Sequence, residues 1–367
     1  MPLADTLVEA WYGKCRSPWW TRPLAGLYGA LAALRRASYR IGALRSVRLP
    51  VPVIVIGNLT AGGTGKTPLT IALAEALRTR GFHPGVVSRG HGGQRRAPML
   101  LGATADPAEV GDEPCLIRAS GIPVAVGRDR PAAAQLLVAA GCDVVIADDG
   151  LQHYRLARNL EICVIDGTRR FGNGRLLPAG PLREPLCRLL RVDLCVCNGG
   201  TPQADEYPMR LVGDAAVTLD GGHRQALSVL AGQHVHAVAA IGHPARFFTS
   251  LRDAGIVVIE HAFPDHHAFI AADLEFGDDL PVLMTDKDAV KCRGFAQPHW
   301  WRVPVRAELP SGFVDAVATR LTRQLQERPL CANALMPDQG KNHRARHALY
   351  KGLPSIQTCR ARLPPIQ

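Results

Sequence analysis

Apolar residues recur at helical spacing through Leu24, Leu27, Leu31, Leu34, Ile41 and Leu44, with Arg35, Arg36, Arg40 and Arg45 gathered in the second half. The spacing predicts a basic amphipathic helix over 24–44. Past Pro52 the pattern changes to the unbroken run Val53-Ile54-Val55-Ile56-Gly57-Asn58, as expected of a strand buried on both faces of a parallel sheet. Leu69, Leu73 and Leu77 return to helical spacing and Gly81 ends it. Residues 84–87, 144–147 and 192–197 read as further strands. Residues 235–241, 256–259, 282–285 and 303–305 read the same way, and 244–253 as a helix. Strands alternating with helices predict an α/β protein with a mostly parallel sheet flanked by helices.

Composition agrees with a globular chain. Of 367 residues 47% are hydrophobic and 20% charged, which excludes a disordered or fibrous protein. The net charge of +11 sits at the two ends: residues 1–50 hold eight basic and two acidic side chains, and 329–367 hold six and one. The middle of the chain is neutral. Basic ends suit a polyanion, either nucleic acid or an anionic membrane surface. Trp11, Tyr12, Trp19 and Trp20 precede the amphipathic helix, and indole rings beside Arg and Lys suit a membrane interface. The other reading of that helix is packing on the protein's own body; the aromatic cluster and the charge favour the membrane. No apolar run is long enough to cross a bilayer. Ten cysteines with no secretory signal indicate a reducing compartment, and Cys195 and Cys197 read as buried strand residues rather than a metal pair.

The strand ending at Asn58 runs into Thr60-Ala61-Gly62-Gly63-Thr64-Gly65-Lys66-Thr67 and then a helix. Strand, Gly-rich loop, Lys-Thr and helix make the context of a phosphate-binding loop, although Thr60 stands where the usual pattern has Gly. Backbone N–H groups and the helix N-terminus converge on phosphate, Lys66 reaches the β- and γ-phosphates, and the Thr67 hydroxyl suits Mg²⁺. Magnesium also needs carboxylate, and the strand 144–147 ends in Asp148-Asp149. The sequence does not rank the two.

Further polar groups stand at strand ends. Arg89, in Ser88-Arg89-Gly90-His91-Gly92-Gly93, suits an anionic substrate group or equally a solvated loop. Asp112, in Gly111-Asp112-Glu113-Pro114, reads by itself as a helix cap. The Gly- and Pro-rich segment 171–185 is a long loop of the kind that carries function. His266 and His267 follow a strand, and neighbours in sequence do not point the same way, so a single working His or a surface pair are the readings.

Together, residues 57–68, Ser88 to Gly93, Gly111 to Pro114, Asp148-Asp149-Gly150-Leu151-Gln152-His153, the loop 172–185, Pro264 to His267 and Thr285-Asp286-Lys287-Asp288-Ala289-Val290-Lys291 resemble the tetraacyldisaccharide 4′-kinase family in order and spacing, over roughly 10–328. The resemblance implies ATP- and Mg²⁺-dependent phosphoryl transfer to the 4′-hydroxyl of an acylated disaccharide 1-phosphate, by a peripheral protein on the cytoplasmic face of the inner membrane. It implies Asp112 as base together with His266. Glu184 is a further acidic candidate for the metal or nucleotide, and Arg89, Gln152, His153 and Asn173 are candidates for substrate contact.

The expected divisions are a membrane-associating segment at 1–50, a phosphate-loop domain at 51–225, a smaller α/β domain at 226–328 contributing His266 to a closing cleft, and a disordered basic tail at 329–367. The expected partners are the lipid substrate and an anionic membrane. A protein-partnered NTPase is a rival reading that would need neither the helix nor Asp112. Nucleic acid is not expected, because the neutral body carries no nucleic-acid module, and no protein partner is required.

Overall fold

A computed structural model describes residues 3–13 and 15–326; the expected tail at 329–367 lies outside the described residues. The chain divides into two compact units. The first takes in described residues from 1–66, 146–209 and 309–367, and the second covers 67–145 and 210–308.

In the first unit the strand Val53–Gly57 pairs in parallel with Leu160–Asp166, which pairs in parallel with Leu194–Asn198, and that in turn with the 206–209 portion of Glu206–Val212. The first three are buried along their whole length. Mostly apolar runs form these strands because both faces are covered, so no polar alternation is needed. Cys195 and Cys197 are buried there as free thiols. Among the described residues no group of His, Cys, Asp and Glu could hold a metal ion by itself.

The predicted amphipathic helix spans Thr21–Arg40, with Gly42 just beyond it in the left-handed region at φ 77°. It packs on its own unit by a face the apolar spacing did not point to. Tyr28 donates its hydroxyl to the Arg183 carbonyl at 3.0 Å, Arg36 pairs with Glu184 at 3.2 Å, and the Tyr39 ring lies 5.9 Å from that of Tyr154. Gly29 faces the Leu176 side chain, where a Cβ would crowd it. The leucine stripe therefore faces outward, with Leu27 at 59%, Leu31 at 58% and Leu34 at 65% exposure, beside Trp19 at 81%. No helix among the described residues is long and apolar enough to cross a membrane.

The second unit has two pieces. Pro84–Ser88 pairs in parallel with Val124–Val126, to which Met99–Leu100 adds antiparallel. A separate six-stranded sheet has the order Arg224–Ala226, Ala215–Thr218, Trp300–Val303, Val282–Thr285, His234–Ala239, Val257–Ala262. Its last four strands are parallel and its first two join antiparallel. Phe247, Phe248 and Leu251 of the helix Pro244–Asp253 cover one face. Phe269, Leu274, Ala289 and Trp300 build the core on the other.

Two details depart from the expected divisions. The smaller sheet begins at Ala215, ahead of the boundary expected at 225, because a short antiparallel edge pair carries no periodicity of its own. Residues 67–145, expected with the phosphate loop, belong to the unit that holds His266, so Asp112 and His266 share one unit and Lys66 belongs to the other.

Candidate active site

The phosphate loop leaves the buried strand Val53–Gly57 and ends where the helix Lys66–Arg78 begins. Gly62 and Gly65 take φ of 100° and 88°, a region L side chains avoid, so both turns of the loop call for glycine. The last part of the long loop pins it. Ala61 donates its N–H to the Pro181 carbonyl at 2.7 Å, Arg183 donates to the Leu59 carbonyl at 2.7 Å, and Thr60 bridges Leu182. Asn58 donates to the Thr60 carbonyl at 2.8 Å, and Asn198 donates to the Thr64 carbonyl at 3.0 Å. Gly62 and Gly63 are exposed while Thr60 and Thr64 are buried, so the loop presents backbone to solvent from a fixed base.

Lys66 Nζ lies 3.3 Å from Asn58 Oδ1 and 3.7 Å from Asp149 Oδ1. Asp149 itself has φ of 47° and accepts from Arg183 at 3.1 Å. Asp148 beside it is buried. Two adjacent carboxylates near a phosphate-loop lysine are hard oxygen donors of the kind Mg²⁺ takes together with nucleotide phosphates. Thr67, the residue after Lys66, is buried in the first turn of its helix.

Glu184 is buried and tied on both oxygens: Oε1 to Arg36 at 3.2 Å and to the Tyr154 hydroxyl, Oε2 to Gln152 at 3.2 Å. It joins the amphipathic helix to the neighbourhood of the loop, and its expected metal role draws no support from these contacts. Gln152 also donates to the Asn58 carbonyl at 3.1 Å. Asn173 donates to the carbonyls of Ala10 and Ala179 and to the Ser17 hydroxyl, at 3.2, 2.9 and 3.1 Å. Those bonds fix the N-terminal segment onto the long loop and leave its amide no evident part in substrate contact. His153 is half-buried, with its carbonyl accepting from Arg158.

In the second unit Asp112 opens the helix Asp112–Ala119 and is buried. Its Oδ2 lies 3.2 Å from His266 Nδ1, across 154 positions of sequence. His266 sits in the turn after Val257–Ala262 at φ of 63°, a left-handed conformation that costs an L residue about 1–2 kcal/mol and aims the ring back at the carboxylate. His267 points elsewhere, pairing with Asp273 at 2.9 Å, so the sequence pair is not a joint site. The hydrogen bond to Asp112 raises the His266 pKa above its ordinary value, against burial and the Lys287 charge, which lower it. Arg89 is exposed beyond the strand Pro84–Ser88. Burial pushes the Cys115 thiol up to about 11 and Cys292 to about 12, so neither serves as a nucleophile.

Three groups here had no role from the sequence. Arg183 sits on Asp149, Lys287 on His266, and Lys291 lies 2.8 Å from Asp288 and 3.9 Å from Asp112. The two lysines lie four apart on the helix Asp286–Cys292, a spacing that puts both on one face and was the available signal.

A parallel α/β core with a Gly-rich loop opening a helix, a lysine in its first turn and carboxylates at a strand end define the phosphate-loop nucleotide-binding class. The comparisons narrow this. A model of the family described as tetraacyldisaccharide-1-P 4′-kinase matches residues 17–322. A tetraacyldisaccharide 4′-kinase of Stenotrophomonas maltophilia is 53% identical over 326 residues, covering 85% of this chain and 96% of its own. One from Alkalilimnicola ehrlichii is 55% identical over 312 residues, covering 82% and 92%. A crystal structure of LpxK from Aquifex aeolicus in complex with ATP superposes with a TM-score of 0.68 at 28% identity, over 82% of this chain and 97% of that one. The chain belongs to the tetraacyldisaccharide-1-P 4′-kinase family.

Proposed function

We propose that this protein transfers the γ-phosphoryl group of ATP to the 4′-hydroxyl of a tetraacylated glucosamine disaccharide 1-phosphate, giving the 4′-phosphorylated lipid A precursor. The observation that carries this reading is the Asp112–His266 pair. A nucleotide switch or simple NTPase needs no base for an alcohol, whereas a sugar hydroxyl is a weak nucleophile and must lose its proton as the bond to phosphorus forms. Asp112 takes that proton, and His266 holds the carboxylate in place.

The loop N–H groups and Lys66 bind the β- and γ-phosphates and neutralise charge that spreads over the transferring group, the main source of catalysis in phosphoryl transfer. Arg183, held to the Asp149 carboxylate, keeps that side chain oriented. Asp148 and Asp149, with Thr67 adjoining Lys66, are the residues that would hold Mg²⁺, which would supply further positive charge at the phosphates.

An acceptor with four acyl chains stays in a bilayer, and the outward leucine stripe with Arg22, Arg35 and Arg40 around it is suited to lie at an anionic surface. The same reading makes the protein peripheral on the cytoplasmic face of the inner membrane. Replacing Leu27 and Leu31 together by Glu should weaken sedimentation with anionic vesicles at least tenfold, counting about 1.5 kcal/mol for each leucine withdrawn from an apolar environment. Transfer to a short-chain, micelle-free acceptor should persist in that variant; equal vesicle binding by variant and parent would remove the membrane role.

The test of the function is labelled γ-phosphate from Mg-ATP given to purified protein with the tetraacylated disaccharide 1-phosphate in mixed micelles. The expected product carries label at the 4′ position, and a chelator abolishes it. ATP hydrolysis without acceptor labelling would overturn the proposal.

A further inference from the structure

The reacting groups named so far leave the polar surroundings of His266 unexplained. Beside Asp112 and His266 themselves, five charged or titratable groups of the unit, His91, Glu113, Asp265, Lys287 and Lys291, converge on the pair. The ring of His91, from the Gly-rich turn, lies 5.2 Å away. Asp112 and Glu113 come from the helix Asp112–Ala119, and Lys287 and Lys291 from Asp286–Cys292. Asp265 on the same turn lies 3.9 Å from His266 Nε2.

The second of those helices is held rigidly. Thr285 caps it, accepting the Asp288 N–H at 3.2 Å and donating its hydroxyl to Asp288 Oδ2 at 2.6 Å. Asp288 is fully buried, accepts the Ala240 N–H at 3.0 Å and pairs with Lys291 at 2.8 Å. Lys291 in turn donates to the His267 carbonyl at 2.9 Å. With helix and turn both anchored, Lys287 Nζ stands 3.3 Å from His266 Nε2, 3.1 Å from Asp265 and 3.9 Å from Glu113. Its side chain is only 16% exposed.

The chemistry follows from the donor inventory. An ammonium has three donors and no lone pair. The imidazole nitrogen facing it must therefore carry the lone pair, and the single ring proton of neutral His266 is left on Nδ1, the atom facing Asp112 Oδ2. An imidazolium would turn a second N–H toward the ammonium, which like-charge repulsion disfavours.

We infer that Lys287 is a positioning residue for the acceptor base: it holds His266 as the Nδ1–H tautomer, so that His266 donates to Asp112 while the carboxylate stays ionised and free to accept the hydroxyl proton. This rests on the reading of Asp112 as base. A carboxylate paired to imidazolium is a weaker base than one accepting from neutral imidazole, so the neutral ring is the working form. Asp112 pulls His266 toward protonation and Lys287 opposes it.

The experiment is ¹⁵N imidazole NMR on the full chain labelled at histidine, together with the pH profile of kcat, for the parent, Lys287→Met and Lys287→Gln. In the parent, once the pH exceeds its raised pKa, neutral His266 shows a protonated Nδ1 and a bare Nε2. In Lys287→Met, the imidazolium persists to higher pH and the acid limb of kcat moves up by about one pH unit, leaving turnover near neutrality roughly tenfold lower. The KM for ATP stays within twofold. Lys287→Gln keeps an N–H donor without charge, so it retains the tautomer but shows the shifted limb; it also carries the test should the Met variant fail to fold. An unchanged tautomer and unchanged acid limb in both variants overturn the role of Lys287. Asp112→Asn separates the two claims: if it retains parental single-turnover rates, the base reading fails, whereas if it is inactive while both Lys287 variants match the parent, only this inference fails.

Discussion

Lys66→Ala should abolish phosphoryl transfer, with kcat/KM down by about 10³-fold or more while the protein stays folded. Removal of one preorganised charge-stabilising donor costs about 10²–10³ in related settings, and a phosphate-loop lysine acts both on nucleotide binding and on the charge that develops during transfer. The surroundings explain why the fold should survive. Lys66 Nζ is 3.7 Å from Asp149, but Asp149 also accepts from Arg183 at 3.1 Å, so loss of the lysine does not leave that carboxylate without a cation. Asn58, the other partner of Lys66, keeps its bond to the Thr60 carbonyl. Label transfer measured beside thermal melting separates the two effects. A melting temperature within a few degrees of the parent with no product is the expected result; appreciable transfer by the variant would remove Lys66 from the mechanism.

Asp112→Asn should slow transfer by about 10²–10⁴-fold under single-turnover conditions, with ATP affinity nearly unchanged. The amide keeps the shape and one acceptor oxygen toward His266 but cannot take a proton. Lys291, 3.9 Å from Asp112, retains its closer partner Asp288 at 2.8 Å, so the substitution does not strand a buried ammonium.

Stability gives an independent check with a definite sign. The hydrogen bond to Asp112 is the main reason the His266 pKa is raised, and a group raised on folding contributes stability that is present below its unfolded pKa near 6.5 and lost as pH rises through the folded value. The parent should therefore exceed Asp112→Asn in melting temperature more at pH 6 than at pH 8.5. Equal differences at both values would mean that the pair does not interact as described.

Much of the nucleotide side was legible because it is local. The phosphate loop, its flanking strand and helix, and the acidic pair after 144–147 occupy short contiguous stretches whose backbone conformation follows from Gly placement and hydrophobic period. Strand and helix spans at 244–253 and 282–285 came out as the structure has them, for the same reason. The resemblance supplied the pairing of Asp112 with His266, which residue reading alone took for a helix cap and for either a single working histidine or half of a surface pair; the structure puts them in hydrogen-bond contact.

The Thr21–Arg40 helix shows where periodicity misleads. A leucine stripe at helical spacing normally turns to the core, yet here Tyr28 and Arg36 bond to Arg183 and Glu184 of the long loop, Gly29 meets the Leu176 side chain, Tyr39 lies against Tyr154, and the leucines are left outside. Periodicity reports that a face is apolar, not what covers it.

By itself the sequence determined the α/β class, the phosphate loop with Lys66 and its carboxylates, and the amphipathic character of the N-terminal helix, since each depends on residues within a few turns of one another. Only the tertiary structure decided which helix face is outside, that Asn173 and Glu184 bind their own chain, and that Lys287 and Lys291 close around Asp112 and His266. Those outcomes depend on side chains distant in sequence being brought within about 3–4 Å, and no local spacing encodes such distances.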